Sequence, residues 1–140
     1  MINQLNLVVR DMEATVAFYR RLGLTIDAEA GAGHVAVELE NGLLLEFDTT
    51  SFVPTWDAGF GGTTGGSTVL GWACAGRAEV DRLYGELTGG GARGRQPPYD
   101  AFWGARYAIV EDPDGNPVGL MSPVDEGRRS WPPTPPPTAG

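Results

Sequence analysis

Two segments 65 residues apart carry the same helix signature, and no other feature of the chain constrains its fold as much. Phe18-Tyr-Arg-Arg-Leu22 and Leu83-Tyr-Gly-Glu-Leu87 align Tyr19 with Tyr84. The same order of elements repeats around each, which points to an internal duplication. In the first half, Asn3–Val9 is apolar and β-rich. Asp11 can cap a helix over Met12–Leu22, and Gly23 stops it. Strands are expected at Leu24–Ala28, Val35–Glu40 and Leu43–Asp48, with Asn41-Gly42 as a two-residue hairpin turn between the last two. In the second half, Thr68–Cys74 reads as a strand and Ala78–Leu87 as a helix stopped by Gly89-Gly90-Gly91. Strands are expected near Ala92–Arg95, at Arg106–Glu111 and at Pro117–Met121. The expected class is α+β, built from two βαβββ modules.

The 140 residues are enough for one domain with a real core. The expected organisation is a single domain over residues 1–124, with modules at about 1–50 and 67–124. A Gly- and Thr-rich linker over 51–66 carries Phe52, Trp56 and Phe60. Residues 125–140 form a charged, then Pro-rich tail (Trp131-Pro-Pro-Thr-Pro-Pro-Pro) that is expected to be disordered or loosely draped. No run approaches the ~18 apolar residues of a membrane span, and no leader precedes the first strand, so the chain reads as cytoplasmic. The net charge of −8 argues against nucleic acid, whose phosphates it would repel. Cys74 is the single cysteine, so no intrachain disulfide can form, and its apolar surroundings suit a small buried filler.

Tyr99-Asp-Ala-Phe-Trp-Gly104 places three rings and a glycine in a loop before a strand-like run. Asp112-Pro-Asp-Gly-Asn116 then turns the chain into the last strand. Large rings on a loop beside a sheet suit a ligand with flat faces. Asp112 and Asp114 read as turn residues, and Asp11 and Glu13 as a helix start, rather than as acid/base pairs.

The duplicated order, the Phe18-Tyr19…Leu22-Gly23 helix end and the Asp112-Pro-Asp-Gly115 turn together resemble the vicinal oxygen chelate superfamily. That group includes glyoxalase I, extradiol dioxygenases, fosfomycin-modifying enzymes and bleomycin-resistance proteins. The resemblance implies a curved mixed sheet around a cleft, usually in a homodimer. A closer resemblance is to mitomycin-resistance-type drug-binding proteins. It runs through Leu45-Glu-Phe-Asp-Thr49, Val80-Asp…Leu83-Tyr84…Leu87 and Tyr99-Asp-Ala-Phe-Trp-Gly-Ala-Arg-Tyr-Ala-Ile-Val110. Those relatives sequester planar natural products without converting them, and the tryptophan matching Trp103 helps hold the drug.

Metal-dependent members of the superfamily hold a divalent ion with side chains from four strands. The matching positions here are Gln4, Glu46, Thr68 and Gly119. Thr68 is a poor ligand and Gly119 has no side chain, while His34, the one histidine, is expected in a loop away from this face. No metal, no cofactor and no catalytic residue are therefore expected, because tight sites need a nearly complete inner shell. Strand parity, with Gln4 facing the cleft, predicts a lining of Asn6, Glu46, Asp48, Trp72 and Met121. Tyr99, Phe102 and Trp103 join it from the loop, with Tyr107 beside them. Trp103 is expected to stack on the ligand, Trp72 or Trp56 to form the opposing wall, and Gly119 to open floor space. The expected partner is an aromatic, quinone-type antibiotic (mitomycin-, bleomycin- or enediyne-like), bound without metal so as to confer resistance. The alternative is an enzyme of the same fold, a lyase, isomerase or cyclase, with Tyr99, Glu46 or Asp48 as acid or base.

Overall fold

In a computed structural model, residues 1–66 and 68–138 are described. Ser67, at the start of the expected second module, and Ala139 and Gly140, at the end of the tail, lie outside the described residues. The chain divides into two compact units. One comprises residues 1–66 with Pro113–Gly115, and the other Ser67–Asp112 with Asn116–Gly140. The expected linker thus belongs to the first unit.

The first unit contains strand β1 (Gln4–Val9), helix α1 (Met12–Leu22), strands β2 (His34–Glu38) and β3 (Leu44–Thr49), and a 3-10 turn at Val53–Thr55. The Asp11 carboxylate accepts from the Ala14 N–H (3.0 Å) and starts α1. The Gly23 N–H closes it on the Tyr19 and Arg20 carbonyls. The sheet order is β1-β3-β2, with β1 parallel and β2 antiparallel to β3. Alternation sorts the faces. Val9, Leu45 and Phe47 are buried with Val16, Phe18, Tyr19 and Leu22 of α1, and the Tyr19 and Phe47 rings lie 5.0 Å apart. The opposite face keeps the polar residues.

Two expectations change here. Leu24–Ala28 forms no strand. Instead, the Arg20 guanidinium donates twice to the Ile26 carbonyl (3.0 and 2.5 Å), which fixes the segment by a side chain rather than by a sheet partner. The hairpin is wider than Asn41-Gly42 suggested. Leu39 N–H donates to Leu43 O (2.9 Å) and Gly42 N–H to Leu39 O (2.8 Å). Glu40, Asn41 and Gly42 therefore form a three-residue connection, with Gly42 at φ +82 in the left-handed position such a loop requires. That extra residue shifts the β2 register by one against the expected pairing.

The second unit contains strand β4 (Leu70–Ala73), helix α2 (Arg77–Gly89), strands β5 (Arg93–Asp100), β6 (Arg106–Glu111) and β7 (Pro117–Met121), and a 3-10 turn at Glu126–Arg128. The sheet order is β4-β7-β6-β5. Val80, Leu83 and Leu87 of α2 are buried with Ala108, Val110, Val118 and Leu120. β5 runs longer than expected and takes in Tyr99. It is an edge strand with register shifts on either side of Gln96, and both features let Pro97 and Pro98 sit in a sheet. The Asp112 carboxylate accepts from the Asn116 backbone (2.8 Å) and side-chain (2.9 Å) N–H groups, so it builds the turn as expected. Among the described residues, no helix is long and apolar enough to cross a membrane.

Candidate functional site

The polar face of the first unit carries a connected cluster. Asn6 pairs with Glu46 in the β1–β3 register. Asn6 Nδ2 donates to Glu46 Oε2 and to Asp48 Oδ2, both at 2.9 Å. Gln4 Nε2 donates to the same Glu46 oxygen at 2.9 Å. Asp48 is 1% exposed, and its other oxygen lies 2.6 Å from His34 Nδ1. The expectation that His34 sits away from this face is therefore corrected. His34 opens β2 and pairs directly with Asp48. The three-residue hairpin is the cause, because a two-residue turn would have put Val35 opposite Asp48. With the carboxylate as acceptor, His34 donates from Nδ1, and a neutral ring then carries its lone pair on Nε2. One donor atom from each of His34, Glu46 and Asp48 lies within 4.8 Å of the others, a spacing at which the three can share one cation.

The ring residues gather in the second unit. Trp103 lies 5.2 Å from Phe102, 5.3 Å from Tyr107 and 6.4 Å from Tyr99, and Tyr99 lies 6.4 Å from Tyr107. Every one of these pairs is edge-to-face, and none is a parallel stack. Met121 pairs with Tyr107 across β6–β7 and shares that face with Gly119. Burial, and then the neighbouring Tyr107, raise the Tyr99 phenol above its ordinary value. Burial does the same for Tyr107. Both are neutral hydrogen-bond donors at physiological pH, which removes Tyr99 as a general base there.

The parity expected for β4 is corrected. Trp72 pairs with Leu120 and Gly71 with Gly119, so Leu70 and Trp72 lie on the helix-facing side. Val69, Gly71 and Ala73 share the face of Gly119. Trp72 therefore does not join the ring group. The strand is apolar on both sides, so alternation gave no phase. The 65-residue offset, which maps Gln4 onto Val69 rather than Thr68, does give it. Trp56 follows the 3-10 turn of the first unit and is 54% exposed. A cavity of about 510 Å³ in the first unit lies between α1 and residues 28–32, lined by Arg10, Met12, Glu13, Val16, Arg20 and Gly31. None of the expected site residues line it.

Residues 1–120 match the family model for the glyoxalase/bleomycin resistance protein/dioxygenase superfamily. The chain belongs to this superfamily. A glyoxalase-related enzyme from Fulvimarina pelagi superposes with a TM-score of 0.76 at 22% identity, over 88% of each chain. A glyoxalase/bleomycin resistance protein/dioxygenase from Nocardioides does so at 0.69 and 25% identity, over 94% of this chain and 88% of that one. A lactoylglutathione lyase from Agrobacterium tumefaciens gives 0.63 at 20% identity, over 87% and 92%. No curated protein matches the sequence.

The four-ligand metal centre of this glyoxalase-type superfamily does not fit the residues present. A Cβ added to Gly119 would lie 2.5 Å from the Tyr107 hydroxyl and 3.0–3.1 Å from two of its ring carbons. The floor expected to be open at Gly119 is filled by Tyr107, which stands where a ligating side chain would need to pass. The matching position on β4 falls at Val69, which has no ligand atom.

Proposed function

We propose that this superfamily member binds a planar aromatic natural product and holds it unaltered, conferring resistance by sequestration in the cytoplasm. The carrying observation is the group of Tyr99, Phe102, Trp103 and Tyr107 around one sheet face. Each edge-to-face pair covers one face of one ring, and the uncovered ring faces can take a flat ligand. Met121, 38% exposed on the same face, adds a polarizable surface that adapts to ligand shape. A homodimer, implied by the resemblance to drug-binding relatives, is part of the proposal, and light scattering on purified protein reads it. The fluorescence of the four tryptophans provides the binding test. Mitomycin C, a bleomycin and a quinoxaline antibiotic are titrated against wild type and Trp103→Ala. The proposal expects saturable quenching by at least one compound, weakened about 10- to 30-fold in the variant, as for a central ring contact. Equal affinity in both proteins would remove Trp103 from the site.

A second reading, an enzyme acting on a natural product or small metabolite, is favoured by the His34–Asp48 pair. A buried carboxylate that orients an imidazole leaves the outer nitrogen able to take a proton from a bound substrate. Turnover separates the two readings. Product formed in excess of protein, and lost in His34→Gln, would establish the enzyme and displace sequestration.

A further inference from the structure

The C-terminal segment, expected to be disordered or loosely draped, is fastened along the ring loop and the strands beside it. Its course begins at buried Ser122, whose hydroxyl accepts from the Arg106 N–H (2.8 Å). Asp125 N–H then donates to Gly104 O (3.0 Å), and Ser130 N–H to Phe102 O (3.0 Å). Farther on, the Gln96 side chain donates to Pro137 O (2.9 Å). The loop is shaped for this passage. Gly104 takes φ +93, and a Cβ there would collide with the Asp125 carbonyl. All these anchors lie on β5, on β6 or in the loop between them.

Between the anchors, Trp131 meets Phe102 edge-to-face at 5.8 Å. Yet Trp131 is 79% exposed and Phe102 is 40% exposed. A tryptophan that buries this little contributes little to folding. It instead extends the ring group with further apolar surface, and contiguous rather than single exposed apolar groups are what interaction sites use. The charges of the segment are matched internally, Arg128 with Asp125 (3.3 Å) and Arg129 with Glu126 (2.5 Å). What it offers a ligand beside Phe102 is therefore ring surface.

We propose that residues 122–137 form a strap that makes Trp131 a ligand-contacting residue, and that the strap selects fused-ring aromatics over single-ring ones. The inference rests on the aromatic-binding reading above. A broad ring system can touch Trp103, Phe102 and Trp131 together, whereas a single ring cannot span them.

The test uses the full chain with proflavine as the fused-ring probe and benzamidine as the single-ring probe. Wild type, Trp131→Ala, Trp131→Phe and Trp103→Ala are compared by equilibrium titration. Trp131→Ala should weaken proflavine about tenfold, Trp131→Phe should recover most of that loss, and neither should change benzamidine affinity. Because Trp131 is exposed, both variants should melt with wild type. Proflavine affinity within twofold of wild type in Trp131→Ala, alongside a loss in Trp103→Ala, would overturn the strap and leave the ring-group reading standing. Failure of wild type to bind proflavine or any planar antibiotic would overturn both. A loss in Trp131→Ala equal for the two probes would overturn the selectivity.

Discussion

Gly119→Ala should destabilise this protein by about 1–3 kcal/mol, the usual cost of overpacking a well-filled site. The new methyl would meet Tyr107 Oη at 2.5 Å, Cε2 at 3.0 Å and Cζ at 3.1 Å. Relief requires the whole ring to swing, because the three atoms belong to one rigid group. That swing is resisted by Trp103 at 5.3 Å and Tyr99 at 6.4 Å, which flank the ring. For a chain of this length the cost corresponds to a fall in Tm of roughly 3–10 °C, measured by circular dichroism. Tyr107→Phe removes the closest of the three contacts. The double variant should therefore lose less than the sum of the singles, with a coupling of about 0.5–1.5 kcal/mol. A Gly119→Ala protein that melts within a degree of wild type would refute the reasoning. The space beneath Tyr107 would then be open, and the fourth ligand position of the superfamily would be usable again.

Asp48→Ala should cost about 1–3 kcal/mol in urea denaturation, because it removes the acceptor of His34 and one of the two acceptors of the Asn6 amide, which keeps Glu46. An unchanged midpoint would show that the cluster does not hold together. Ligand affinity should survive dialysis against EDTA, read by the same fluorescence titration. A loss restored by Zn²⁺ would give His34, Glu46 and Asp48 a metal role instead. Burial, and then Glu79, push the Cys74 thiol up to about 11. Its neutral form belongs to the folded state, so the unfolded chain ionises first as pH rises. Stability should be insensitive to this group below the ordinary thiol range and fall from there toward pH 11. Iodoacetamide should label native protein slowly at pH 8, and rapid native labelling would contradict the burial.

What the sequence revealed depended on whether a signal was local. α1 was legible residue by residue because Asp11 and Gly23 mark its ends. β6 and β7 were legible because the Asp112–Asn116 turn fixes where one stops and the next begins. His34 was missed because its place depends on a register, and one extra residue in the Glu40–Gly42 connection moves it onto the face of Asp48. Trp72 was misassigned because β4 is apolar on both faces and carries no phase of its own. Leu24–Ala28 has the composition of a strand but its partner is the side chain of Arg20, which no β pattern encodes. The closing of Gly119 by Tyr107 is a cross-strand approach, visible only once Ile109 is placed opposite Gly119. Where the tail lies was not legible, because proline and charge give no packing signal. Its anchors are backbone groups of Phe102, Gly104 and Arg106 and the side chain of Gln96, which a composition cannot show.

Sequestration of an intact planar ligand is tested most directly by equilibrium dialysis of a panel of aromatic antibiotics, with mass spectrometry of both chambers. At least one compound should concentrate on the protein side, unmodified, in amounts that saturate with the protein concentration, and Trp103→Ala should lose that retention. Retention of none of the panel, or conversion of a compound beyond one equivalent of protein, would contradict the proposed function.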